Sequence, residues 1–378
     1  MPAISAGGNI GIMGVDYSRY PFLTTLQDYM IRRLGYSIPL DELLDNQELT
    51  DASFERIKNA VEGRVYAGAS TTSEMQVLSF HVALFIVKTT ESRWLRNRFA
   101  MYESERAYEF LKSEDGNTMV EVLRASGLNA GKLADPYKLV IGFTRSMREI
   151  YELYDYTMFF VDYLKYTKRF WGESKWKLVN RLLWKGRVYV KREELARIGK
   201  EVFYALIQEL LDKAEFMPAT KLEELAEKVR RIIPTRYTGE GRLDGFEGSP
   251  GKRVVVEAFP PCMKRIYTAL VRGDNLSHHE RFAIATFLIS LGMDLEDIIN
   301  LFRRVPDFNE RITRYQLEHL AGKRGGGRRY APYNCDNMRS RGLCVSECNV
   351  RHPLSYYYSN LKKLFKDQAS PRGASRES

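Results

Sequence analysis

Cysteine occurs only four times in the 378 residues, as Cys262, Cys335, Cys344 and Cys348, all in the last third of the chain. Three of them fall within fourteen residues, and the fourth stands upstream of that group with 72 residues between. A chain that uses cysteine nowhere else and then gathers it in this way is read as building a metal site. Such a site would close a loop around everything between Cys262 and Cys335. Structural zinc sites usually draw on two close pairs, whereas the gaps here are 72, 8 and 3 residues, so only Cys344 and Cys348 form a short pair. Four thiolates can hold zinc or an iron–sulfur cluster, and the spacing leaves both open beside plain structural or free thiols. The radical-type C-x₃-C-x₂-C pattern is excluded because Arg351 stands three after Cys348, and glycosylase-type spacing does not fit. Residues 1–15 lack a basic n-region, so no export signal is expected. A reducing, cytoplasmic compartment then makes disulfides a poor explanation for the thiols.

Hydrophobic residues make up 44% and charged residues 28%, the balance of a globular protein with room for two or three domains. The longest apolar run, around Val82 to Val87, is too short to span a bilayer and reads as a buried helix. The net charge of +10 is unevenly placed: residues 250–378 hold 22 Lys and Arg against 13 Asp and Glu, and residues 1–249 hold 36 against 35. Nearly all the positive excess therefore accompanies the cysteines, an electrostatic footprint suited to a phosphate backbone. Charge alone equally describes a solvated basic surface with a basic tail.

The fold class expected is mainly α: a helical N-terminal body with a small inserted α/β element, a flexible linker and a helical C-terminal domain. Residues 73–87 and 91–113 lack Pro and Gly and carry apolar faces, as helices do. Asp135-Pro136 marks a turn. Residues 156–161 and 186–190 are β-branched and aromatic strand candidates, with helical texture at 163–169 and 176–184 between them and a long helix over 192–214. The α/β element is thus set at about 151–200, within a first domain of 1–217. Residues 218–251 read as linker, with one amphipathic helix from Lys221 to Ile233 followed by a Gly-dense stretch. A second domain follows over 252–366, and 367–378 as a disordered tail. Within it Ser277-His278-His279-Glu280 is a capping box, Asp294 and Asn309 cap two further helices, and Gly292 and Gly322 close helices at their C-termini.

His278 and Arg281, three apart on the first turn of the capped helix, share a face where the helix N-terminus itself favours anions. Tyr315 and His319, four apart, share the face of the third helix, where a tyrosine could stack on a base or simply pack. Gly322 to Arg329 is a basic loop, either a solvated connection or a phosphate contact. His352, before Pro353, is expected to pack or to orient a cysteine rather than bind metal.

Several words then stand in a recognisable order: Ala258-Phe259-Pro260-Pro261-Cys262-Met263-Lys264, Asn275-Leu276-Ser277-His278-His279-Glu280-Arg281-Phe282, Pro306-Asp307-Phe308-Asn309 with Thr313-Arg314-Tyr315-Gln316, Gly342-Leu343-Cys344, and Arg351-His352-Pro353-Leu354-Ser355-Tyr356-Tyr357. This succession closely resembles the C-terminal domain of the archaeal and eukaryotic DNA primase large subunit. Arg19-Tyr20-Pro21-Phe22, Trp176 to Arg181 and Gly186-Arg187-Val188 extend the likeness more weakly to the N-terminal part. The resemblance implies that Cys262, Cys335, Cys344 and Cys348 hold one [4Fe–4S] cluster. It implies a non-catalytic subunit whose N-terminal domain docks the catalytic small subunit in a heterodimer. His278 and Arg281, with Tyr315 and His319, would meet single-stranded DNA template, RNA primer and the initiating nucleotide. Ser277 stands where the eukaryotic pattern carries Arg, so one triphosphate contact is in doubt or would come from elsewhere. No Asp-x-Asp pair occurs anywhere, in keeping with a subunit that does not transfer nucleotides itself. An archaeal source, a nucleoid-associated setting and no membrane are expected. The rival readings are a stand-alone zinc nucleic-acid-binding protein and a cluster-bearing DNA repair enzyme.

Overall fold

The computed structural model describes residues 15–35, 37–64, 72–170, 173–213, 220–234, 254–324 and 329–369. It divides into two compact units, residues 1–168 with 173–234, and residues 235–378 with 169–172.

In the first unit, helices α1 (Leu26–Tyr29), α2 (Leu40–Leu43), α3 (Gln47–Glu62), α4 (Ser73–Thr89), α5 (Arg93–Ser113) and α6 (Gly116–Ala125) precede a sheet. The four longest begin on a polar side chain that accepts a first-turn N–H: Asn46 for α3, Thr72 for α4, Ser92 for α5 and Asp115 for α6. The Arg19-Tyr20-Pro21-Phe22 segment is where the core begins. Tyr20 and Phe22 are buried against Phe203, and Phe22 also meets Phe80 edge-on, while Arg19 and the Tyr20 hydroxyl both bond Glu114.

The sheet has four antiparallel strands, β1 (Ala130–Phe143), β2 (Glu149–Phe159), β3 (Leu183–Trp184) and β4 (Arg187–Val190), in the order β1-β2-β4-β3. Helix α7 (Phe160–Tyr166) leaves β2, and α8 (Arg192–Lys213) follows β4 and packs along α5. The α/β element therefore starts at residue 130 rather than about 151. Asp135-Pro136, expected as a turn, lies inside β1, where the pairing register slips between Lys132 and Tyr137. Proline is tolerated there because β1 is an edge strand and the slip removes the need for its N–H. Residues 176–184 are not a helix. Short 3₁₀ turns at Ser174–Trp176 and Leu178–Asn180 lead into β3, held by buried Trp176 and by Arg181, whose guanidinium forks onto Glu194 at 2.6 and 2.7 Å.

The helix expected in the linker is α9 (Thr220–Ile232), and it belongs to the first unit. Leu222, Ala226 and Val229 are buried, and the helix packs against α4 and α3. The Gly-dense stretch of the linker lies outside the described residues.

The second unit comprises α10 (Pro261–Val271), α11 (His278–Ser290), α12 (Leu295–Phe302), α13 (Glu310–Leu320), α14 (Cys335–Ser340) and α15 (Pro353–Ala369). Ala283 to Ile289 of α11 are all buried, which makes it the central helix. Phe259, Phe287 and Tyr357 meet edge to face with centroids 5.1–6.0 Å apart, and the Tyr357 hydroxyl accepts the Val255 N–H at 3.1 Å. Among the described residues no helix is long and apolar enough to cross a membrane. The protein is mainly α with a small inserted α/β element.

Candidate metal centre and nucleic-acid interface

The four thiols come from three places in the second unit. Cys262 lies on the first turn of α10, Cys335 opens α14 under an Asn334 cap, and Cys344 and Cys348 lie in the turns beyond α14. Local hydrogen bonds set those turns. Cys344 N–H donates to the Met338 carbonyl, Cys335 N–H to the Arg351 carbonyl, and the Cys344 and Cys348 thiols both point at the Ser346 carbonyl, at 3.3 and 3.6 Å. Asn349 takes φ of 51°, a left-handed turn that asparagine tolerates. Cys262 is buried in the core, while the other three are partly exposed.

The thiols are within electrostatic reach of one another. Burial, followed by the like charges of Cys344, Cys348 and Cys335, pushes the Cys262 thiol up to about 11. Burial also raises Cys335, with Arg339 opposing and Cys344 and Cys348 adding to the rise. Four thiolates gathered this way repel each other unless a cation lies between them. Among the described residues no group of three or more His, Cys, Asp or Glu is drawn tightly enough to hold a single metal ion. The four donors are all sulfur, the set that zinc or an iron–sulfur cluster takes. His352 Nδ1 accepts the Leu354 N–H at 3.1 Å and caps α15.

Helix α11 carries the second set of residues. The capping box forms as expected, with the Glu280 N–H on Ser277 Oγ at 3.3 Å and the Ser277 N–H on Glu280 Oε2 at 2.9 Å. Glu280 is held on its other side by Arg265 of α10 at 3.0 Å. His278 is exposed at the helix start. Arg281 is not a free cation. Its Nη2 meets both carboxylate oxygens of Asp307 at 2.6 and 2.8 Å, and its Nε donates to the Leu276 carbonyl at 3.0 Å. The Nη1 edge makes no hydrogen bond among the described residues, so the fork offers one edge in a fixed orientation.

The structure brings the four sequence-selected residues together. His278 and Arg281 of α11, with Tyr315 and His319 of α13, line one cavity of about 350 Å³ that also includes Phe282, Phe302, Thr313 and Gln316. Tyr315 is 56% exposed, lies nearly parallel to His319 and has the Arg324 guanidinium 5.6 Å from its ring centre. From there rings continue through His319–Tyr330 and Tyr330–Phe282 to Phe282 stacked on Tyr333 at 4.6 Å. Phe282 and Asp307 stand in the recognisable words and Arg324 in the basic loop, but the sequence assigned none of them a role of its own, and Tyr330 and Tyr333 carried no signal beyond their place beside that loop and Cys335. Of the loop 322–329, residues 325–328 lie outside the described residues.

An α-helical protein of two units, with four thiols gathered in the second and an aromatic cavity bearing an ion-paired arginine at a capped helix start, is the class that fold and site define. The comparisons agree with it over both units. Residues 18–216 match the family described as Eukaryotic and archaeal DNA primase, large subunit N-terminal domain, and residues 252–372 match the corresponding C-terminal domain. Among curated proteins, the DNA primase large subunit PriL of Methanocella arvoryzae is 32% identical, covering 94% of this chain and 91% of the relative. That of Methanococcoides burtonii is 31% identical over 89% and 90%, and that of Archaeoglobus fulgidus 31% over 76% and 69%. The chain belongs to the archaeal and eukaryotic DNA primase large-subunit family.

Proposed function

We propose that this chain is the non-catalytic large subunit of a heterodimeric DNA primase. It stabilises and modulates a catalytic small subunit and holds template and initiating nucleotide while the first RNA primer bond is made. The observation that carries this reading is the convergence of His278, Arg281, Tyr315 and His319 on one cavity beside a helix N-terminus. Exposed imidazole and a fixed guanidinium edge at a helix N-terminus suit phosphates, and an exposed tyrosine suits any base. A [4Fe–4S] cluster on Cys262, Cys335, Cys344 and Cys348 would tie the two ends of the second unit together. When bound it would supply the positive charge that lets four thiols ionise side by side.

A second surface supports the partner. Beyond Tyr154 the β1–β2 hairpin continues as a two-stranded ribbon, since β4 pairs with β2 only over Tyr156–Phe159. Val140, Phe143, Tyr151 and Leu153 are exposed on it, and Met147 near its tip is 76% exposed. An isolated apolar ribbon is marginal in water, and an exposed patch of this kind marks an interaction site. The small subunit is the occupant the family supplies. Chain connectivity through residues 235–253 would then raise the local concentration of the second unit, and of what it holds, near the partner's active site.

The test is a His278→Ala, Arg281→Ala double variant in the reconstituted heterodimer. Removing two phosphate-binding side chains should lower dinucleotide synthesis without a primer by roughly one to three orders of magnitude. Extension of a supplied primer should fall much less, and the complex should still assemble. Equal initiation by variant and parent would remove the clamp role from this helix.

A further inference from the structure

The first turn of α11 is tied to both chain segments that bring in the thiols. On one side, Arg265, three residues after Cys262, bonds Glu280 at 3.0 Å, and Glu280 closes the capping box on Ser277. On the other, His279 Nδ1 lies 2.9 Å from the hydroxyl of Tyr333, two residues before Cys335. Tyr333 is itself fixed, its ring stacked on Phe282 at 4.6 Å and covered by the Arg341 guanidinium at 4.5 Å. Neither tether lies among the cavity-lining residues. A helix start held only by its own cap frays easily, because its first N–H groups have no intrahelical partner. Two side-chain bonds from opposite flanks remove that freedom.

We infer that Tyr333 is a positioning residue: its hydroxyl, through His279, holds the first turn of α11 so that His278 and Arg281 face the cavity together, and so links the anion clamp to the thiol-bearing segments. The inference rests on the clamp reading proposed above. The ring and the hydroxyl have separable jobs. Stacking between Phe282 and Arg341 belongs to packing, whereas the hydroxyl, which also faces the Arg341 guanidinium, is what reaches α11, at His279. The site is built so that the residues touching an anion are oriented by residues that do not touch it.

Tyr333→Phe keeps the ring and removes the bond. In the full chain with the small subunit, the variant should retain the parent's iron content and thermal stability. Its affinity for a template–primer carrying a 5′ triphosphate should fall by about three- to tenfold, the scale of one lost neutral hydrogen bond, and its affinity for the same duplex ending in 5′ hydroxyl should not change. In a His279→Ala background the additional effect of Tyr333→Phe should vanish, since both substitutions break the same bond. Parent-like triphosphate affinity in Tyr333→Phe overturns the inference, as do costs that simply add in the double variant. A His278→Ala arm separates the two levels. If His278→Ala weakens triphosphate binding while Tyr333→Phe does not, the tether alone is wrong; if both are silent, the clamp reading falls with it.

Discussion

His81 lies in the interior of the first unit on α4, its ring 5.3 Å from that of Phe80 and its Nε2 without a hydrogen-bond partner among the described residues. Burial first, and then the charge of Arg56, holds its pKa down at about 4, against a raising contribution from its bond to the Pro21 carbonyl. The unfolded chain takes up a proton near pH 6.5, so the denatured state binds it first as pH falls. The stability contribution is therefore complete above about pH 6.5 and is lost progressively between there and about pH 4. Because three of the four tryptophans, Trp94, Trp176 and Trp184, belong to this unit, tryptophan fluorescence reads it predominantly. Denaturant unfolding followed that way should show stability declining by a few kcal/mol across that window, and His81→Gln should flatten the decline. A parallel slope in the variant would mean that another group governs it. Nearby, Glu103 is fully buried between Arg56, at 2.8 Å, and Arg106, at 3.7 Å. Glu103→Ala leaves two guanidiniums buried without their shared anion and should cost about 3–5 kcal/mol, measured as a shift in the denaturant midpoint of the same signal.

Among the elements, the ribbon and the thiol-bearing turns make separable demands. Tyr151→Asp with Leu153→Lys places charge on the exposed face of β2 without touching the buried Tyr156–Met158 end. Co-purification with the small subunit should be lost while the unfolding curve of the first unit stays put; retained assembly would move the docking surface elsewhere. In the proposed reading the thiols would act as a clasp, because Cys262 enters at the start of the second unit and Cys335 to Cys348 return near its end, with α11, α12 and α13 between. Metal-site binding energy becomes folding energy in such an arrangement. Cys335→Ser should lower iron content and open residues 254–369 to protease while residues 15–213 remain resistant. Full iron content together with unchanged digestion would rule out the site.

At the scale of the whole molecule, the two units divide the labour in the proposed reading, one holding the partner and the other holding the first substrates. The chain has no Asp-x-Asp pair, so on its own it should synthesise no primers from template and nucleotides. Primer formation by a preparation free of any small subunit would refute that. The basic excess of the second unit should also make its template binding weaken steeply with salt, as counterion release requires, and a flat salt dependence would argue that the charge is merely solvated.

The sequence by itself determined the capped helices of the second unit, because a capping side chain and an apolar period act within a few residues; Ser277, Asp294 and Asn309 each start a helix as read. It also picked out Cys262, Cys344, His278, Arg281 and Tyr315 in spaced words that carry a family's identity, Cys335 and Cys348 by the scarcity of cysteine, and His319 by its helical spacing from Tyr315. Only the tertiary structure decided the rest. Residues 130–143 became an edge strand because β2 offered a partner that could absorb Pro136 through a register slip. Helix α9 joined the first unit because α3 and α4 left room for its apolar face. Arg281 found Asp307, and His279 found Tyr333, across 26 and 54 residues of chain. Partners that far apart meet only when packing brings their helices together, and no local pattern in the chain records the meeting.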